Sequence, residues 1–344
     1  MDPGAPPTGN AREVFLTGGT GFIGSRVAKA LIARGDRLRC LVRDTAAARW
    51  LERLGARLIQ GDITDDIALQ YGLRGADIGY HLAGLFELGV TDHAAMERVN
   101  VDGTRAFLLV GESAGVPRLI HVSSTAALGP TPNGESDATR EYDGPYPSVY
   151  HRTKAHAHRL ARRAQERGQP VIIVCPSNVY GPGDHGPNAR FIADLVRGRM
   201  PGLMAEPGWY SYVHVDDIVA GLLAAGDAGR PGETYILSGE PLSINDFAER
   251  VAAEAGVHPP KLRLATGLVR VGGAALDVLT RFTGVRFAIS REGVDTSAQQ
   301  WVHGHAKAEE ELGWKPRTLS EGLPETVAWF RERGASKGGG GHGG

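Results

Sequence analysis

The feature that most constrains the fold is a glycine-rich turn between an apolar segment and a helical repeat. Residues 14–17 predict a short buried strand. Gly18, Gly21 and Gly24 follow at three-residue spacing, and apolar residues then recur at helical spacing over residues 23–31. Glycine permits a tight turn and lets an anion reach the free N–H groups at the start of the helix. Three glycines alone are also typical of an ordinary turn, but their place between strand and helix predicts a site for the pyrophosphate of a dinucleotide.

Strand and helix patterns alternate through the first half of the chain. Apolar segments that predict further strands lie at residues 38–42, 57–59, 119–122 and 171–175, and another ends at residues 81–84. A long helix is expected from about residue 92 to residue 113, and another is expected to start near Tyr146. Strands separated by helix-length segments form a parallel sheet with helices on both faces. The pattern therefore predicts an α/β fold with a doubly wound, Rossmann-type parallel sheet.

The pattern changes after residue 176, where loops lengthen and glycine and proline become frequent. We expect a smaller, mostly helical C-terminal lobe that holds the substrate. Ser243, with Asp246 three residues later, predicts the start of one of its helices. The predicted units are a disordered N-terminus at residues 1–11, a dinucleotide-binding domain at 12–176 to which 213–239 returns, a substrate lobe at 177–212 and 240–334, and a flexible glycine-rich tail at 335–344.

Composition excludes several classes of protein. The chain of 344 residues has a formal net charge of −1, with 42% hydrophobic and 22% charged residues, as is ordinary for a globular protein. Neither nucleic acid nor an anionic membrane surface is indicated as the main partner, and no apolar run reaches the ~20 residues of a membrane span. Cys40 and Cys175 each lie in an apolar segment. Buried thiols are therefore favoured over a disulfide, which is typical of a protein in the reducing cytoplasm.

The histidines do not predict a metal site. His156 and His158 are two positions apart on a helix and would point to different faces. His303 and His305 have no acidic or thiol partners close to them in sequence. Surface or core histidines account for both pairs.

Polar residues at the ends of the second and third predicted strands are placed to contact an adenosine. Arg43 and Asp44 follow the second strand. An acidic residue there accepts hydrogen bonds from the ribose, whereas Arg43 pairs with a 2′-phosphate, so Arg43 favours NADP while NAD stays open. A solvated Arg43 paired with Asp44 is the alternative. Asp62 follows the third strand, where it is placed either to hold the adenine amino group or to cap a helix beginning near Thr64.

A tyrosine and a lysine four residues apart form the predicted chemical centre. Tyr150 and Lys154 share one face of a helix. A phenol has an ordinary pKa of ~10, and an adjacent ammonium lowers that pKa toward the range useful for proton transfer. Ser124 ends the fifth predicted strand, and ligands bind at the carboxyl ends of strands in open α/β sheets. Ser124 is therefore expected to donate a hydrogen bond to a substrate oxygen.

These motifs resemble those of the extended short-chain dehydrogenase/reductase family over nearly the whole ordered length of the chain. The matching segments are Thr-Gly-Gly-Thr-Gly-Phe-Ile-Gly at 17–24, Gly-Asp at 61–62, His-Leu-Ala-Gly at 81–84, Asn-Val-Asp-Gly-Thr at 100–104, Ser-Ser at 123–124, Tyr-His-Arg-Thr-Lys at 150–154, Pro-Ser-Asn-Val-Tyr-Gly-Pro at 176–182 and Val-His-Val-Asp-Asp at 213–217. The resemblance implies that Tyr150 is the general acid/base and that Lys154 binds the nicotinamide ribose and tunes Tyr150. It also implies that Ser124 orients the substrate oxygen, while Asn100 shapes the active-site helix and relays protons through water.

The resemblance also implies sets of binding residues and an assembly. The cofactor set is Gly18, Thr20, Gly21, Phe22, Ile23, Gly24, Arg43, Asp62, Ile63, Leu82, Ala83, Gly84, Tyr150, Lys154, Pro176, Asn178 and Val179. The substrate set is Phe86, Ser124, Asn178, Arg190, Trp209 and Tyr210. Members of the family commonly pair through the helices carrying Tyr150 and Asn100, so a homodimer is expected, with His156, Arg159 and Arg163 facing the partner.

One departure from the family pattern bears on the substrate. Nucleotide-sugar enzymes of the family usually carry an arginine just before the motif at 213–217, where it reaches the substrate diphosphate. Here residues 208–212 read Gly-Trp-Tyr-Ser-Tyr. With Arg43, this favours the branch of dihydroflavonol reductases, 3β-hydroxysteroid dehydrogenases and hopanoid-associated epimerase-like proteins. The apolar stretch 262–287 suits a hydrophobic wall of the substrate site, although core packing explains it equally well.

The predicted function is that of an NAD(P)-dependent oxidoreductase. It would transfer hydride between nicotinamide and the carbonyl or alcohol of a small, apolar or aromatic substrate, with Tyr150 as the general acid/base. One alternative is a nucleotide-sugar epimerase or dehydratase with tightly held NAD. A more remote alternative is a non-catalytic protein that senses NAD(P), although such relatives tend to lack the tyrosine–lysine pair.

Overall fold

The chain folds into an alternation of strands and helices. The computed structural model describes residues 11–89, 92–137, 142–285, 287 and 289–338, so the predicted disordered residues 1–10 and residues 339–344 of the predicted tail lie outside it. The strands are β1 (Glu13–Thr17), β2 (Arg37–Val42), β3 (Arg57–Gln60), β4 (Ile78–His81), β5 (Leu119–Val122), β6 (Val171–Pro176), β7 (Asn178–Tyr180), β8 (Leu203–Met204), β9 (Trp209–His214), β10 (Thr234–Leu237), β11 (Glu240–Ser243) and β12 (Arg263–Leu264). The α-helices are α1 (Phe22–Ala33), α2 (Arg49–Arg53), α3 (Asp66–Leu73), α4 (His93–Glu97), α5 (Gly103–Ser113), α6 (Val149–Glu166), α7 (Pro187–Val196), α8 (Val215–Ala228), α9 (Ile244–Glu254), α10 (Thr266–Thr283), α11 (Arg291–Ser297), α12 (Ala306–Leu312) and α13 (Leu319–Gly338).

Seven of these strands form one parallel sheet at the centre of the molecule. Their order is β10-β6-β5-β4-β1-β2-β3, which confirms the predicted doubly wound, Rossmann-type fold. The chain order reverses between β1 and β4, so the crevice at the carboxyl ends of these two strands is the point where an open α/β sheet binds its ligand. β10 comes from the segment predicted to return to the sheet, and it pairs with β6 at the edge.

The alternation of side chains along β1 divides the core into two layers. Val14 and Leu16 point to one face of the sheet, where they pack with α1 and α8 residues such as Leu31 and Leu222. Phe15 points to the other face and packs with Leu69 of α3 and side chains of α5. All of these side chains are fully buried. The sheet is therefore covered on both faces, as parallel sheets require.

On each face of the sheet, an aromatic side chain occupies the space next to a helix glycine where a larger residue would place its side chain. A Cβ added to Gly72 of α3 would lie 2.1 Å from the ring of Phe15. A Cβ added to Gly226 of α8 would lie 1.8 Å from the hydroxyl of Tyr80. Because both aromatic residues are fully buried, the two glycines let the helices lie close against the sheet.

The C-terminal lobe combines helices with two small sheets that the sequence does not predict. β9 pairs with β7 in parallel and with β11 in antiparallel orientation, and β8 pairs with β12. Tyr212 of β9 stacks on Phe247 of α9, with ring centroids 3.9 Å apart. Ser243 caps α9 as predicted, because its hydroxyl accepts from the Asp246 N–H at 3.1 Å.

Two helix boundaries differ from those predicted. The long helix expected over residues 92–113 is interrupted by a π-helical turn at Arg98–Asp102. There the Thr104 hydroxyl donates to the Asn100 carbonyl at 2.7 Å and competes with the regular helical hydrogen bond. The helix expected to start near Tyr146 begins at Val149, because Ser148 caps it by accepting from the His151 N–H.

The apolar stretch 262–287 is placed differently from both sequence-based interpretations. It forms β12 and α10, and most of its apolar side chains are exposed to solvent rather than packed in the core or turned inward. Among the described residues, no helix is both long and apolar enough to cross a membrane.

Candidate active site

The glycine-rich turn forms a cradle at the crevice between β1 and β4. Gly18 has a φ of +75°, and a Cβ at this position would lie 2.7 Å from the Ala83 nitrogen. A Cβ on Gly24 would lie 2.1 Å from the Gly18 carbonyl oxygen. Helix α1 has Gly21 at its cap, no side-chain cap and no acidic residue in its first turn. Its N–H groups are thus open to an anion, so the predicted cradle fits the pyrophosphate of a dinucleotide.

The polar residues after β2 and β3 have distinct surroundings. Arg43 is exposed, and among the described residues Asp44 is not its partner, because the Asp44 carboxylate accepts from the N–H groups of Ala46 and Ala47 at 2.8 and 3.1 Å. Asp62 accepts from the Thr64 N–H at 3.2 Å. The alternative that Asp62 caps a helix beginning near Thr64 is therefore wrong, because Asp62 caps a turn and α3 begins only at Asp66.

A buried polar network that the sequence analysis missed joins the ends of β1 and β4 to the π-helical turn. The His81 ring hydrogen-bonds through Nδ1 to the Thr17 hydroxyl at 2.9 Å and through Nε2 to the Thr104 hydroxyl at 3.1 Å. The Thr17 hydroxyl also accepts from the Ala83 N–H at 3.2 Å. Burial lowers the pKa of His81 to about 3, which keeps the ring neutral. The sequence feature that could have indicated this network is a histidine at the end of an apolar strand.

Tyr150 and Ser124 lie together at the carboxyl edge of the sheet. Tyr150 is in the first turn of α6, and the Ser124 hydroxyl lies close enough to its phenol to lower the pKa of that phenol. Ser124 follows β5 and also accepts from the Ala126 N–H at 3.2 Å. The Phe86 ring packs on Tyr150 with centroids 4.5 Å apart and keeps 41% of its surface exposed. Tyr150, which is half-buried, therefore lies against an aromatic ring that is itself partly exposed.

Lys154 is buried directly behind this pair. Its ammonium donates to the Val122 carbonyl oxygen at 3.0 Å, which fixes the head group at the end of β5. Burial lowers the pKa of Lys154 to about 8. The lysine is therefore closer to losing its proton than an exposed one.

The sequence-based expectation for the pKa of Tyr150 is wrong in direction. Desolvation raises that pKa above the ordinary phenol value, and the hydrogen bond from Ser124 only partly offsets the shift. Helical spacing brings Lys154 to the same face, but its ammonium is bonded to the Val122 carbonyl. Tyr150 thus holds its proton through the neutral range.

Asn100 positions the loop that carries Phe86. Its Nδ2 donates to the Leu85 carbonyl at 3.1 Å and to the Thr153 hydroxyl at 3.0 Å, while its Oδ1 accepts from the Leu85 N–H at 2.8 Å. Asn100 therefore links the loop after β4 to α6, next to Tyr150. Its expected role in relaying protons through water stays a prediction.

Other predicted binding residues are placed around this centre. Leu82 and Gly84 follow β4 beside the cradle, Pro176 ends β6, and Val179 lies in β7. Ile63 is buried, and a Cβ on Gly103 of α5 would lie 2.8 Å from its side chain. Thr20, Phe22 and Ile23 belong to the turn and the start of α1.

The remaining predicted substrate residues make their contacts in the C-terminal lobe. Asn178 accepts from the side-chain amide of Asn188. The Tyr210 hydroxyl donates to the Thr296 carbonyl at 2.8 Å, so it is engaged in holding α11. Trp209 is 41% exposed, and Arg190 is an exposed residue of α7. The structure does not bring these four side chains into hydrogen-bond contact with Tyr150 among the described residues.

Glu292 was also missed, because it lies far from the motifs in sequence. Its carboxylate accepts from the Gly89 N–H at 3.0 Å and from the Val149 N–H at 3.4 Å. Gly89 ends the described part of the Phe86 loop, and Val149 precedes Tyr150. One side chain at the start of α11 thus holds both sides of the site entrance.

One group of side chains has metal-ligand chemistry. His214, Asp216 and Glu325 place a nitrogen and two oxygens within 4.8 Å of one another. Arg26 donates to Asp216 at 2.5 Å, and Arg317 donates to Glu325 at 3.0 Å. These guanidinium groups supply the positive charge that a metal ion would bring, so we interpret the cluster as an ion-pair network.

Comparison with known proteins agrees with this fold. The model of the family described as NAD dependent epimerase/dehydratase matches residues 14–238. The sterol demethylase protein B of Methylococcus capsulatus is 31% identical, and the alignment covers 93% of this chain and 98% of that protein. The 4-hydroxy-2-methyl-3-oxo-4-farnesyl-3,4-dihydroquinoline-1-oxide ketoreductase of Stigmatella aurantiaca is 30% identical, with 90% and 94% covered. Proteins named as 3β-hydroxysteroid dehydrogenases match as well.

A solved structure shows the same architecture with a cofactor. The dTDP-glucose 4,6-dehydratase of Streptomyces venezuelae, crystallised with NAD, matches with a TM-score of 0.75 and 26% identity over 94% of this chain and 98% of that chain. Fold and site together define a Rossmann-fold oxidoreductase of the extended short-chain dehydrogenase/reductase type. The chain belongs to the NAD-dependent epimerase/dehydratase family, as its motifs predict.

Lys154 generates a testable pH dependence. It loses its charge as the pH rises through about 8, and only the charged form attracts a dinucleotide electrostatically. We expect the affinity for NADPH to fall above pH 8, by up to about tenfold per pH unit. Fluorescence titration between pH 7 and pH 10 measures this. Lys154→Met should bind more weakly at pH 7 and show no such fall, whereas the exposed Lys29→Met should behave as the parent. A parent affinity that is flat up to pH 10 would contradict the assignment.

Proposed function

We propose that the protein reduces the carbonyl group of an apolar or aromatic compound with NADPH. The observation that carries the proposal is the Tyr150 side chain, which lies beside the Ser124 hydroxyl and packs against the partly exposed ring of Phe86. A proton donor, an orienting hydroxyl and an apolar surface thus meet at the carboxyl edge of the sheet.

The residues divide the work of the reaction. A bound nicotinamide dinucleotide supplies the hydride. Ser124 donates a hydrogen bond to the substrate carbonyl oxygen, and Tyr150 donates the proton that this oxygen takes up as it becomes a hydroxyl. Lys154 is fixed by the Val122 carbonyl and has further N–H groups with which it would bind the nicotinamide ribose. Asn100 holds the loop of Phe86 in place.

The state of Tyr150 favours reduction over alcohol oxidation. Because desolvation raises its pKa above the ordinary phenol value, Tyr150 is protonated throughout the neutral range. A protonated phenol is ready to donate, whereas alcohol oxidation needs the phenolate as a base. Reduction is therefore the direction that the free site supports at neutral pH.

The names of relatives support an apolar substrate. One relative is named for sterol demethylation, and another as a ketoreductase of a farnesyl-bearing quinoline oxide. Both compounds are large and apolar. Phe86 and Trp209, each 41% exposed, offer matching surface in this chain, worth roughly 25 cal/mol for each Å² that a substrate buries.

The second candidate is a nucleotide-sugar dehydratase or epimerase, favoured by the likeness to the NAD-bound dehydratase. Elimination of water needs a further acid–base group beside Tyr150. The turn after Ser124 is Thr125–Ala127, and no residue of it titrates in the useful range. A diphosphate also needs cationic partners, and Arg190 is the one basic residue in the predicted substrate set. A purely NAD(P)-sensing role stays as a remote alternative that the presence of Tyr150 and Lys154 disfavours.

Replacement of the proton donor tests the chemistry. Tyr150→Phe should lower turnover of bulky ketones and aldehydes by about 10²–10⁴-fold while NADPH binding is kept. The exposed Tyr71→Phe of α3 is the matched control and should keep full turnover. NADPH oxidation is followed by absorbance with a panel of carbonyl compounds.

The same panel separates the candidates. A Tyr150→Phe enzyme with near-normal turnover would rule out the assigned donor. Micromolar binding of UDP, dTDP or their sugars outside the cofactor site, with no carbonyl reduced, would favour the epimerase or dehydratase. NADPH binding without turnover of either class would favour the sensor.

We propose NADP(H) as the preferred cofactor, supported by Arg43, which is exposed after β2 while Asp44 is engaged in its own turn. A charge-assisted contact to the 2′-phosphate is worth roughly 1.5–3 kcal/mol. Arg43→Ala should therefore weaken NADPH binding by roughly 10–100-fold and leave NADH binding unchanged. Titration with both cofactors measures it, with the exposed Arg53→Ala as control. Equal affinities of the parent for both would show that Arg43 only faces solvent.

We propose a two-fold symmetric homodimer formed by α5 and α6. A groove between them is lined by Val101, Arg105, His156, Arg159, Leu160 and Arg163. On the same face of α5, Leu109 is 54% exposed. Sedimentation velocity at micromolar concentration should give a dimeric mass that Leu109→Glu converts to a monomer, while Leu54→Glu, just after α2, has no effect. A monomeric parent would contradict the proposal.

The two buried free thiols support the reducing cytoplasm as the location of the protein.

A further inference from the structure

Helix α10 presents an apolar face to solvent instead of burying it. Leu268 is 64% exposed, Val271 68%, Val278 53% and Phe282 86%. These residues are spaced by three, seven and four positions, so they share one side of the helix. An apolar stripe of this kind usually faces a core. Here it extends over about 21 Å from Leu268 to Phe282, since an α-helix rises ~1.5 Å per residue.

The opposite side of α10 is the one that packs on the protein. Gly273 and Thr280 are buried, and a Cβ on Gly273 would lie 2.9 Å from the backbone of Ser290 at the start of α11. The apolar side therefore points outward. Three exposed residues beyond the helix extend the surface: Val285, Phe287 and Ile289. We call Leu268, Val271, Val278, Phe282 and these three the apolar face.

The segment that carries the apolar face is rich in basic residues. Residues 261–291 contain six basic residues and one acidic residue, a net charge of +5 in a chain whose net charge is −1. Ion pairs join Arg263 to Glu249, and Arg270 and Arg291 to Asp295. Lys261 and Arg281 form no ion pair within the described part of the chain. The near-zero net charge of the whole chain hides this local excess.

We propose that the apolar face docks on the surface of an anionic lipid bilayer, with α10 lying in the plane of the interface. Exposed apolar side chains flanked by basic residues are the combination by which interfacial helices bind anionic lipid. Charge also selects this occupant over a second copy of the chain, because two copies would bring two positive faces together.

The apolar face lies beside the entrance of the active site. The loop of Phe86 packs closely on the start of α11: a Cβ on Gly89 would lie 2.7 Å from the Ser290 side chain. Glu292 then joins α11 to both Gly89 and Val149. Docking would bring the entrance to the lipid surface, so an apolar carbonyl compound could enter without crossing water. This consequence rests on the proposed function, whereas the docking itself does not.

Vesicle binding tests the proposal without any substrate. The full chain is sedimented with vesicles of phosphatidylcholine alone and of phosphatidylcholine with phosphatidylglycerol at three to one. We expect binding to the anionic vesicles, weakened by added salt. The double variant Val271→Glu/Phe282→Glu should bind at least about tenfold more weakly, and Arg281→Glu about fivefold or more. Ile67→Glu on α3, where Ile67 is 80% exposed, is the matched control and should bind as the parent.

A second measurement reports directly on the docked face. Cys40 and Cys175 are buried, so Phe282→Cys can be labelled selectively with an environment-sensitive fluorophore. Its emission should shift to shorter wavelength only with anionic vesicles. The proposal would be overturned if the parent does not bind anionic vesicles, or if the parent and the double variant bind them equally. It would also be overturned if, without vesicles, the double variant has a lower mass in solution than the parent, because the apolar face would then contact a second copy of the chain. Turnover of a water-soluble ketone without vesicles should be equal in parent and double variant, so failure of the reductase proposal is seen separately.

Discussion

The active site depends on one close backbone contact, between the turn after β1 and the end of β4. Gly18 lies so near Leu82 and Ala83 that a single methyl group would not fit. Beneath this contact, Thr17 bonds both the Ala83 N–H and the His81 ring. The crevice at the switch point of the sheet is thereby held at a fixed width, and the open start of α1 faces it.

From this contact the catalytic groups follow in steps. His81 bonds Thr104, which bonds the carbonyl of Asn100 and shapes the π-helical turn. The Asn100 side chain then reaches Leu85 and Thr153, one residue before Lys154. A continuous set of hydrogen bonds thus runs from the glycine-rich turn to α6, the helix that carries Tyr150. Because the side chains that link it are buried, loss of any one leaves its partner unsatisfied: Thr17, His81, Thr104, Asn100 and Thr153.

Sequence reasoning succeeds where structure is local. The strands at 119–122 and 171–175 and the cap at Ser243 follow from apolar runs and capping chemistry within a few residues. The β7–β9–β11 sheet was not predicted, because pairing of residues far apart in the chain leaves no local pattern. The π-helical turn was missed because a hydroxyl competing for one carbonyl does not change the hydrophobic period.

The same limit applies to the site. The motifs bring Ser124, Tyr150 and Lys154 together, but spacing does not show that the Lys154 ammonium is held by the Val122 carbonyl, nor that desolvation dominates at Tyr150. Periodicity also shows that the apolar residues of α10 share one side, without showing what covers them. Side-chain partners from distant segments, such as Glu292, decide these points.

The two glycines that receive aromatic side chains have an evolutionary consequence. Phe15 occupies the space of a side chain at Gly72, and Tyr80 occupies that at Gly226, on opposite faces of one sheet. A larger side chain at one position of a pair requires a smaller side chain at the other. Among related sequences, the sizes of the residues at positions 15 and 72 should therefore be inversely correlated, and so should those at positions 80 and 226. The two pairs should vary independently of each other, because the sheet separates them.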